Sequence, residues 1–285
     1  MQKQDFKKLF EHGPVILDGA TGSNLMKAGM PKGTCTEKWV LEHPEIVVAL
    51  QKAYVDAGSQ IIYAPTFAAN RISLATHGLS DQVDHYNHAL TALSKEAAQG
   101  RALIAGDITT TGKTEVDYDE LLSAYEEQIT ALVDAGVDLL IAETMIGADE
   151  TMAVIDAAHS VCDLPILCSM TMQADGSLFF GGNIFETAPM FEEMGADAVG
   201  INCSTGPDQL ENIIQNLSST LSIPVIAKPN AGMPVINDQG IAVYDMSPEY
   251  FGKSMKRLVD LGASMVGGCC GTDPEFIRAL VKAVR

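Results

Sequence analysis

The sequence predicts an α/β fold, a single-domain (β/α)8 (TIM) barrel formed by residues 1–285. Apolar strands and helical stretches alternate eight times with short links, which is typical of a parallel sheet whose strands are joined by helices. Four segments repeat one pattern, and polar side chains gather where the predicted strands end. Eight units in 285 residues fit a closed barrel, and a doubly wound open sheet is the alternative.

The repeated segments supply four of the strands. Each has a helix that ends in glycine, the residue that suits a left-handed helix cap, and then a short apolar run that suits a strand buried on both faces. The segments are 56–63, 134–141, 193–200 and 260–267, and four further strands are predicted at 15–17, 102–105, 165–170 and 224–227. Helices are predicted between them, among others at 44–57, 119–135, 208–221 and 248–261.

Composition limits the classes of function. Apolar residues make up 47% of the chain, enough for a large core, and the net charge of −19 disfavours nucleic acid and anionic membranes as partners. No apolar run reaches the roughly 18 residues of a membrane span, and the first eight residues lack the apolar stretch of a signal peptide. We therefore expect a cytoplasmic protein whose six cysteines are reduced or bind metal.

Ionisable, polar and thiol side chains follow the predicted strands. In a barrel the active site lies at the carboxyl ends of the strands, so these residues are the candidates for a site. The strand interiors are nearly free of such groups. The residues are Asp18, Thr66, Asp107, Glu143, Thr171, Cys203, Lys228 to Asn230, Cys269 and Cys270.

Three of these residues are cysteines in glycine-rich surroundings. Cys203 follows the sixth predicted strand, and Cys269 and Cys270 follow the eighth. Thiolates bind zinc in a tetrahedron, and three protein ligands leave the fourth position open for chemistry. We predict that Cys203, Cys269 and Cys270 bind a metal and form the catalytic centre. The alternative is that they are small buried residues or a strained vicinal pair.

Two carboxylates are predicted to face the same mouth of the barrel. Asp18 opens the segment Asp18-Gly19-Ala20 after the first predicted strand, where glycine lets backbone N–H groups face an anion such as a carboxylate. Glu143 follows the fourth predicted strand. Together Asp18 and Glu143 could hold the amino group of an amino acid. A plain tight turn and structural salt bridges are the alternatives.

Six short motifs occur in one order along the chain. They are Leu17-Asp18-Gly19-Ala20, Pro65-Thr66-Phe67, Glu143-Thr144, Gly200-Ile201-Asn202-Cys203, Pro229-Asn230-Ala231-Gly232 and Gly267-Gly268-Cys269-Cys270-Gly271-Thr272. Together they resemble the homocysteine S-methyltransferase family, and in particular the homocysteine-binding barrel of cobalamin-dependent methionine synthases. The resemblance covers nearly the whole chain, and the cysteine motifs are its most specific part.

The resemblance implies a metal centre and a reaction. It implies one zinc ion per chain bound by Cys203, Cys269 and Cys270, with the sulfur of homocysteine in the fourth position. The reaction would be transfer of a methyl group to that sulfur, which gives methionine. This agrees with the chemistry of thiols, because the thiolate is the nucleophilic form and a metal ion deprotonates a thiol that coordinates it.

The resemblance also implies which residues bind the substrate. Asp18 and Glu143 would hold its amino group, and the backbone around Gly19 and Ala20 its carboxylate. Asn230 is expected to fill the open zinc position when substrate is absent. Two more residues of the motifs are expected to bind substrate, namely Thr66 and Asn202.

The methyl donor stays open. The sequence has no Asp-x-His-x-x-Gly motif of a cobalamin-binding module, so the candidates are a separate corrinoid protein that carries methylcobalamin and a sulfonium such as S-methylmethionine or S-adenosylmethionine. Two alternatives to the whole interpretation remain. One is methyl transfer to another small thiol or selenol, and the other is a non-catalytic zinc-binding partner of a corrinoid protein.

Overall fold

The computed structural model describes residues 1–113, 115–236 and 242–285, and at its centre lies a sheet of eight parallel strands. A short antiparallel pair of strands, Val235–Ile236 with Ala242–Val243, precedes the last barrel strand. The strands in chain order are β1 Val15–Ile16, β2 Ile61–Tyr63, β3 Leu103–Ile108, β4 Leu139–Met145, β5 Ile166–Met170, β6 Ala198–Asn202, β7 Val225–Lys228, β8 Val235–Ile236, β9 Ala242–Val243 and β10 Ala263–Val266.

The eight barrel strands form a nearly closed ring. Their order is β1-β10-β7-β6-β5-β4-β3-β2, and each neighbouring pair is parallel. Hydrogen bonds across the remaining gap join β1 to the residue before β2. The N–H of Gln60 donates to the carbonyl of Ile16 at 2.7 Å, and the N–H of Ile16 donates to Oε1 of Gln60 at 3.0 Å. The predicted (β/α)8 barrel is therefore confirmed, and the open doubly wound sheet is excluded.

Helices surround the ring and join its strands. The glycines of the four repeated segments, Gly58, Gly136, Gly195 and Gly262, all have left-handed φ angles between 76° and 113°, as the caps of preceding helices require. The helices are α1 Lys3–Lys8, α2 Gly22–Lys27, α3 Thr36–Glu42, α4 Pro44–Ala57, α5 Arg71–Ala75, α6 Val83–Ala98, α7 Tyr118–Asp134, α8 Ala148–Val161, α9 Ile184–Glu193, α10 Glu211–Thr220, α11 Pro248–Asp260 and α12 Pro274–Val284.

Apolar side chains fill the barrel and the layer between its strands and helices. The inner cluster takes alternate residues from the strands, for example Ile61 with Tyr63 and Leu139 with Ile141, as the two-residue period of a strand requires. Phe6 of α1 belongs to this cluster, so α1 covers the amino-terminal end of the barrel. The carboxyl end stays available for a site. No helix within the described ranges has both the length and the apolarity to cross a membrane.

Two strands extend further than the sequence predicts. The strand predicted at 102–105 runs to Ile108, and β4 runs to Met145, so Asp107 and Glu143 lie inside strands rather than after them. The reason is that a parallel strand can carry a polar side chain near its carboxyl end, where the barrel interior opens into the site. The helix predicted at 208–221 is divided into a 3-10 turn, Pro207–Gln209, and α10.

Candidate functional site

A cavity of about 630 Å³ opens at the carboxyl ends of the strands. The segment 19–23 after β1 lines one part of its wall, and residues of the loops after β2 and β3 line others. Three sulfurs and several charged groups share this wall. They are Cys203, Cys269, Cys270, Asp107, Glu143 and Lys228.

The three predicted metal ligands come together. The Sγ atoms of Cys203, Cys269 and Cys270 all lie within 4.8 Å of one another, and Cys203 Sγ is 3.5 Å from Cys270 Sγ. Sulfurs bound tetrahedrally to zinc at about 2.3 Å stand roughly 3.8 Å apart. Among the described residues, no other group of three histidine, cysteine or carboxylate side chains has such geometry. The cluster therefore fits a zinc ion that keeps one position open.

The backbone at the end of β6 turns to place Cys203. Its φ angle is 52°, a left-handed value that is uncommon for a residue other than glycine. The N–H of Cys203 donates to the carbonyl of Lys228 at 3.3 Å, so β6 stays tied to β7 beyond their last paired residues. This turn directs the thiol toward the cysteines that follow β10.

Glycines at the end of β10 let the chain pass close to its neighbours. A Cβ atom on Gly267 would lie 2.6 Å from the carbonyl oxygen of Asp18, and one on Gly268 would lie 2.5 Å from Oγ1 of Thr272. Further along, the N–H of Cys269 donates to the carbonyl of Pro229 at 2.7 Å. Close packing therefore requires glycine at both positions. The path of the backbone through this pair determines where Cys269 and Cys270 lie.

The three thiols share their protons unequally. Hydrogen bonds to Cys203 and Cys269 lower the pKa of Cys270 to about 3, whereas hydrogen bonds to Cys269 and Cys270 raise the pKa of Cys203. Tyr244 packs against Gly271 and also lowers the pKa of Cys270 through a hydrogen bond. The hydrogen bonds within the cluster therefore favour a thiolate at Cys270. The negative charge of a thiolate attracts a cation.

A buried lysine joins two carboxylates beside the sulfurs. Lys228 Nζ is 3.1 Å from Asp18 Oδ1 and 3.0 Å from Glu143 Oε1, and it lies 4.2 Å from the centre of the Tyr63 ring. Asp18 Oδ2 accepts a hydrogen bond from the N–H of Tyr63 at 2.8 Å. The charges of Asp18 and Glu143 outweigh the effect of burial and raise the pKa of Lys228, so this lysine is charged.

Asp107 is a third carboxylate at the same place. It lines the cavity, yet only 5% of it is exposed, and its Oδ1 accepts no hydrogen bond from the described residues. Burial and the negative charge of Glu143 raise its pKa well above the ordinary value. Burial also raises the pKa of Glu143 to about 7, although Lys228 opposes the shift. Burial therefore favours the protonated form of both carboxyl groups, while Lys228 keeps its positive charge.

Six of the ten predicted site residues lie on the cavity wall, and four do not. Those on the wall are Gly19, Ala20, Glu143, Cys203, Cys269 and Cys270. The wall formed by described residues does not include Asp18, Thr66, Asn202 or Asn230, all of which are buried behind it.

The buried residues hold the wall in place. The hydroxyl of Thr66 donates to the carbonyl of Asp107 at 2.8 Å and accepts from its N–H at 3.1 Å. Asn202 Oδ1 accepts from the N–H of Thr144 at 3.0 Å, and its Nδ2 lies 3.8 Å from the sulfur of Cys269. Thr66 thus fixes the backbone of Asp107, and Asn202 links the end of β4 to a thiol. Asn230 Oδ1 is buried without a hydrogen bond from the described residues.

The backbone of Ala20 already has partners in the protein. Its N–H donates to Oγ1 of Thr272 at 3.1 Å, and its carbonyl accepts from the hydroxyl of Tyr54 at 2.7 Å. The same tyrosine ring lies 2.6 Å from where a Cβ atom of Gly19 would be. In this structure the Ala20 N–H is not directed at the cavity, which differs from the predicted role in binding a substrate carboxylate.

Lys228 and Asp107 have roles that the sequence alone did not indicate. Both are among the strand-end residues, but a lone lysine or aspartate there has no recognisable spacing. One feature of the sequence does indicate such a cluster, namely Lys228. A charged residue that ends a run of buried apolar residues needs a carboxylate partner.

Comparison with known proteins identifies relatives over the whole barrel. A family model described as homocysteine S-methyltransferase matches residues 15–284. The methionine synthases of Mycobacterium leprae (strain TN) and Mycobacterium tuberculosis (strain ATCC 25618 / H37Rv) are each 27% identical to the chain over 294 residues. These matches cover 95% of this chain and 24% of each relative, so the chain spans about a quarter of their length.

Solved structures with the same fold include the homocysteine methyltransferase MmuM from Escherichia coli. Its oxidized form has a TM-score of 0.81 and 21% identity, with 94% of this chain and 95% of that chain covered. Its metallated form has a TM-score of 0.81 and 20% identity, with 96% and 97% covered. At this level of identity the likeness establishes a common fold.

Proposed function

The chain belongs to the homocysteine S-methyltransferase family, and we propose that it transfers a methyl group to the thiol of homocysteine and so produces methionine. We further propose that residues 1–285 act as one homocysteine-binding domain. The observation that carries the proposal is the cluster of three thiols, whose Sγ atoms lie within 4.8 Å of one another at the wall of the cavity.

We propose that Cys203, Cys269 and Cys270 hold one zinc ion. When bound, zinc supplies a Lewis acid that keeps the thiol of the acceptor deprotonated at neutral pH. The donor set supports this assignment, because thiolates are ligands that zinc prefers and three of them leave one position open. Asn230 is proposed to supply an oxygen to that position when the acceptor is absent, and its buried Oδ1 without a hydrogen bond is consistent with this role.

The reaction needs little from the protein beyond binding and orientation. A lone pair of the acceptor's sulfur forms the new S–CH₃ bond while the bond from the methyl group to the donor breaks. The thiol proton leaves to solvent when the acceptor binds. The protein must therefore hold the sulfur beside the three cysteines and direct the methyl donor at it.

The charged groups beside the thiols are proposed to hold the amino acid part of homocysteine. Its ammonium group would bind to carboxylates of this cluster, for which Asp18 and Glu143 are the predicted pair. Glu143 lies on the wall, and Asp18 lies behind Lys228. The carboxylate of homocysteine would lie against the segment 19–23, which borders the same cavity.

The donor is proposed to be either a methyl-corrinoid protein or a small sulfonium such as S-methylmethionine. The loop after β5 contacts the cavity wall from outside, because the N–H of Phe180 donates to the carbonyl of Ile146, which lines the cavity. Directly after β9, Tyr244 packs against Gly271 beside the thiols. A protein donor would have an apolar surface to contact on these segments, whereas a sulfonium would need only the cavity. Exposed apolar side chains there include Phe179 and Phe180 on the loop after β5, and Val235, Ile236 and Val243 on β8 and β9.

A cysteine substitution tests the proposal. We expect Cys203→Ala to lose both zinc and methionine formation, because two thiolates do not complete the site. Cys168→Ala is the matched control, since Cys168 is a buried cysteine within β5 that is not part of the cluster. Zinc per chain is measured by elemental analysis, and methionine is measured with homocysteine and each donor in turn.

The outcomes separate the alternatives. Full zinc retention in Cys203→Ala would contradict the three-cysteine site. Zinc in the unsubstituted protein without methyl transfer from any donor would favour a non-catalytic role, and methylation of another small thiol in preference to homocysteine would favour a different acceptor.

A further inference from the structure

Asn202 is buried at a point where four parts of the barrel meet. It is the last residue of β6, and only 1% of it is exposed. Its side-chain oxygen accepts hydrogen bonds from the N–H of Thr144 and from the hydroxyl of Ser169, both at 3.0 Å. Its side-chain nitrogen donates to Oγ1 of Thr144 at 2.6 Å and to Sγ of Cys269 at 3.8 Å. The amide therefore connects the ends of β4 and β5 to a thiol of the cluster.

These contacts use the whole hydrogen-bonding capacity of the Asn202 amide. A carboxamide has two acceptor positions on its oxygen and two N–H donors on its nitrogen. The backbone N–H of Thr144 can only donate, so the atom that it contacts is the oxygen, and the four contacts then match the four positions. A substrate group could bind to Asn202 only by displacing one of these contacts. We therefore look for the function of Asn202 in what it holds.

Asn202 is attached to two strained turns. Three residues other than glycine have left-handed φ angles in the described part of the chain, and Gln99, at the end of α6, is remote from the site. The other two are Thr144 at 57°, near the end of β4, and Cys203 at 52°, directly after β6. This conformation is unfavourable for a β-branched residue, so it persists at Thr144 only because the surroundings hold it. Asn202 binds both the N–H and the side chain of Thr144, and it directly precedes Cys203.

The two turns carry different parts of the proposed site. Cys203 supplies one of the three thiols, and Thr144 follows Glu143 on the cavity wall. An acceptor whose sulfur lies at the thiols and whose amino acid part lies at Glu143 must match the distance between these two places. If the turn at Thr144 relaxed, Glu143 would move relative to the thiols.

We propose that Asn202 is a positioning residue that fixes Glu143 relative to the three thiols by holding the left-handed turn at Thr144. This inference rests on the proposed function, because it presumes an acceptor that contacts both places. It gives Asn202 a role different from the direct substrate contact that the resemblance implies. It also implies that glycine at position 144 makes the turn independent of Asn202, because glycine adopts a positive φ angle without strain.

The test compares homocysteine with ethanethiol, which has a thiol but no amino acid part. Dissociation constants are measured from the sulfur-to-metal charge-transfer bands of the cobalt(II)-loaded protein, so no methyl donor is needed. We expect Asn202→Ala to weaken homocysteine binding by about tenfold or more, because Glu143 no longer lies at the correct distance from the thiols. Ethanethiol binding should change by less than about twofold, which also shows that the variant is folded and holds the metal.

A second substitution at Thr144 separates positioning from direct binding. In the double variant Asn202→Ala with Thr144→Gly, homocysteine affinity should return to within about threefold of that of the unsubstituted protein. Ser169→Ala is the matched control, since it removes one hydrogen bond from the same amide and leaves the contacts to Thr144 and Cys269 in place. It should change neither affinity by more than about twofold.

Two results would overturn the inference. One is a selective loss of homocysteine that Thr144→Gly does not restore, which would make Asn202 a direct ligand. The other is an equal loss of both thiols in Asn202→Ala, which would confine its role to the metal cluster. If Asn202→Ala does not fold, Asn202→Ser is the second variant, with the same expected results, because serine is too short to reach Thr144. If the unsubstituted protein binds homocysteine no more tightly than ethanethiol, the proposed function fails and the inference fails with it.

Discussion

Glu143 is the proposed substrate-binding residue whose ionisation changes near neutral pH. Burial raises its pKa from the ordinary 4.5 to about 7, against the attraction of Lys228. Below pH 7 the carboxyl group is therefore protonated in the folded protein and no longer attracts an ammonium group. Stability changes in the opposite direction, because a raised acid pKa contributes stability below the unfolded value that is lost as the pH rises through 7.

We predict that the preference for homocysteine over 4-mercaptobutyrate, which is homocysteine without its amino group, decreases below pH 7. Taking the ratio of dissociation constants cancels the release of the thiol proton, which both acceptors share. Between pH 8 and pH 6 the ratio should fall by up to about tenfold, as expected for loss of one ionised group. In Glu143→Gln the ratio should be small and independent of pH. An unchanged ratio in the unsubstituted protein would show that Glu143 does not contact the ammonium group.

Single residues differ in how far the sequence identifies their role. Cys203, Cys269 and Cys270 could be predicted as a group, since glycine-flanked cysteines directly after two buried strands are typical of a metal site and unusual in a core. Asp18 and Asp107 could not be distinguished, because both follow or end apolar runs. Which of them faces the cavity depends on where the Lys228 side chain lies, and that is a property of three strands packed together.

At the scale of elements, the close approach of β6 and β7 determines where Cys203 lies. A Cβ atom on Gly200 would be 2.0 Å from the carbonyl oxygen of Ile226 and 2.6 Å from its nitrogen. These are backbone atoms of the neighbouring strand, so they cannot move aside as a flexible side chain would. Gly200 is therefore required for β6 to pair with β7 in the observed register.

We predict that Gly200→Ala destabilises the protein by about 3 kcal/mol, at the upper end of the usual cost of overpacking. Gly22→Ala is the control, because a Cβ atom there meets nothing within 4 Å at the start of α2. Its effect should be within about 0.5 kcal/mol of zero or slightly stabilising. The free energy of unfolding is measured with urea. A loss below about 1 kcal/mol in Gly200→Ala would contradict the close approach.

Elements were predictable where the sequence carries a local signal. The four glycine-capped helices and the strands after them follow from the repeat, and α4 begins and ends where predicted. The ends of β3 and β4 were predicted too early, because a charged residue usually marks the end of a buried strand. Asp107 and Glu143 are exceptions, since their side chains enter the cavity while their backbones continue the sheet.

At the scale of the molecule, the order of strands brings the three thiols of the proposed metal site together. β7 lies between β6 and β10 in the ring, so Cys203 and the Cys269–Cys270 pair come from strands that flank a common neighbour. That neighbour ends in Lys228, which carries the charge that organises the carboxylates. The three thiols and Lys228 therefore line one wall of the cavity, and the sequence could not show that they meet there without the closed ring.

The measurement that tests the central claim most directly is the absorption spectrum of the reduced protein loaded with cobalt(II) in place of zinc. The account predicts intense sulfur-to-cobalt charge-transfer bands that shift on addition of homocysteine and saturate at one equivalent per chain. That result would show a three-thiolate site whose open position accepts the sulfur of the substrate. Thiolate bands that do not respond to homocysteine, or no thiolate bands at all, would contradict it.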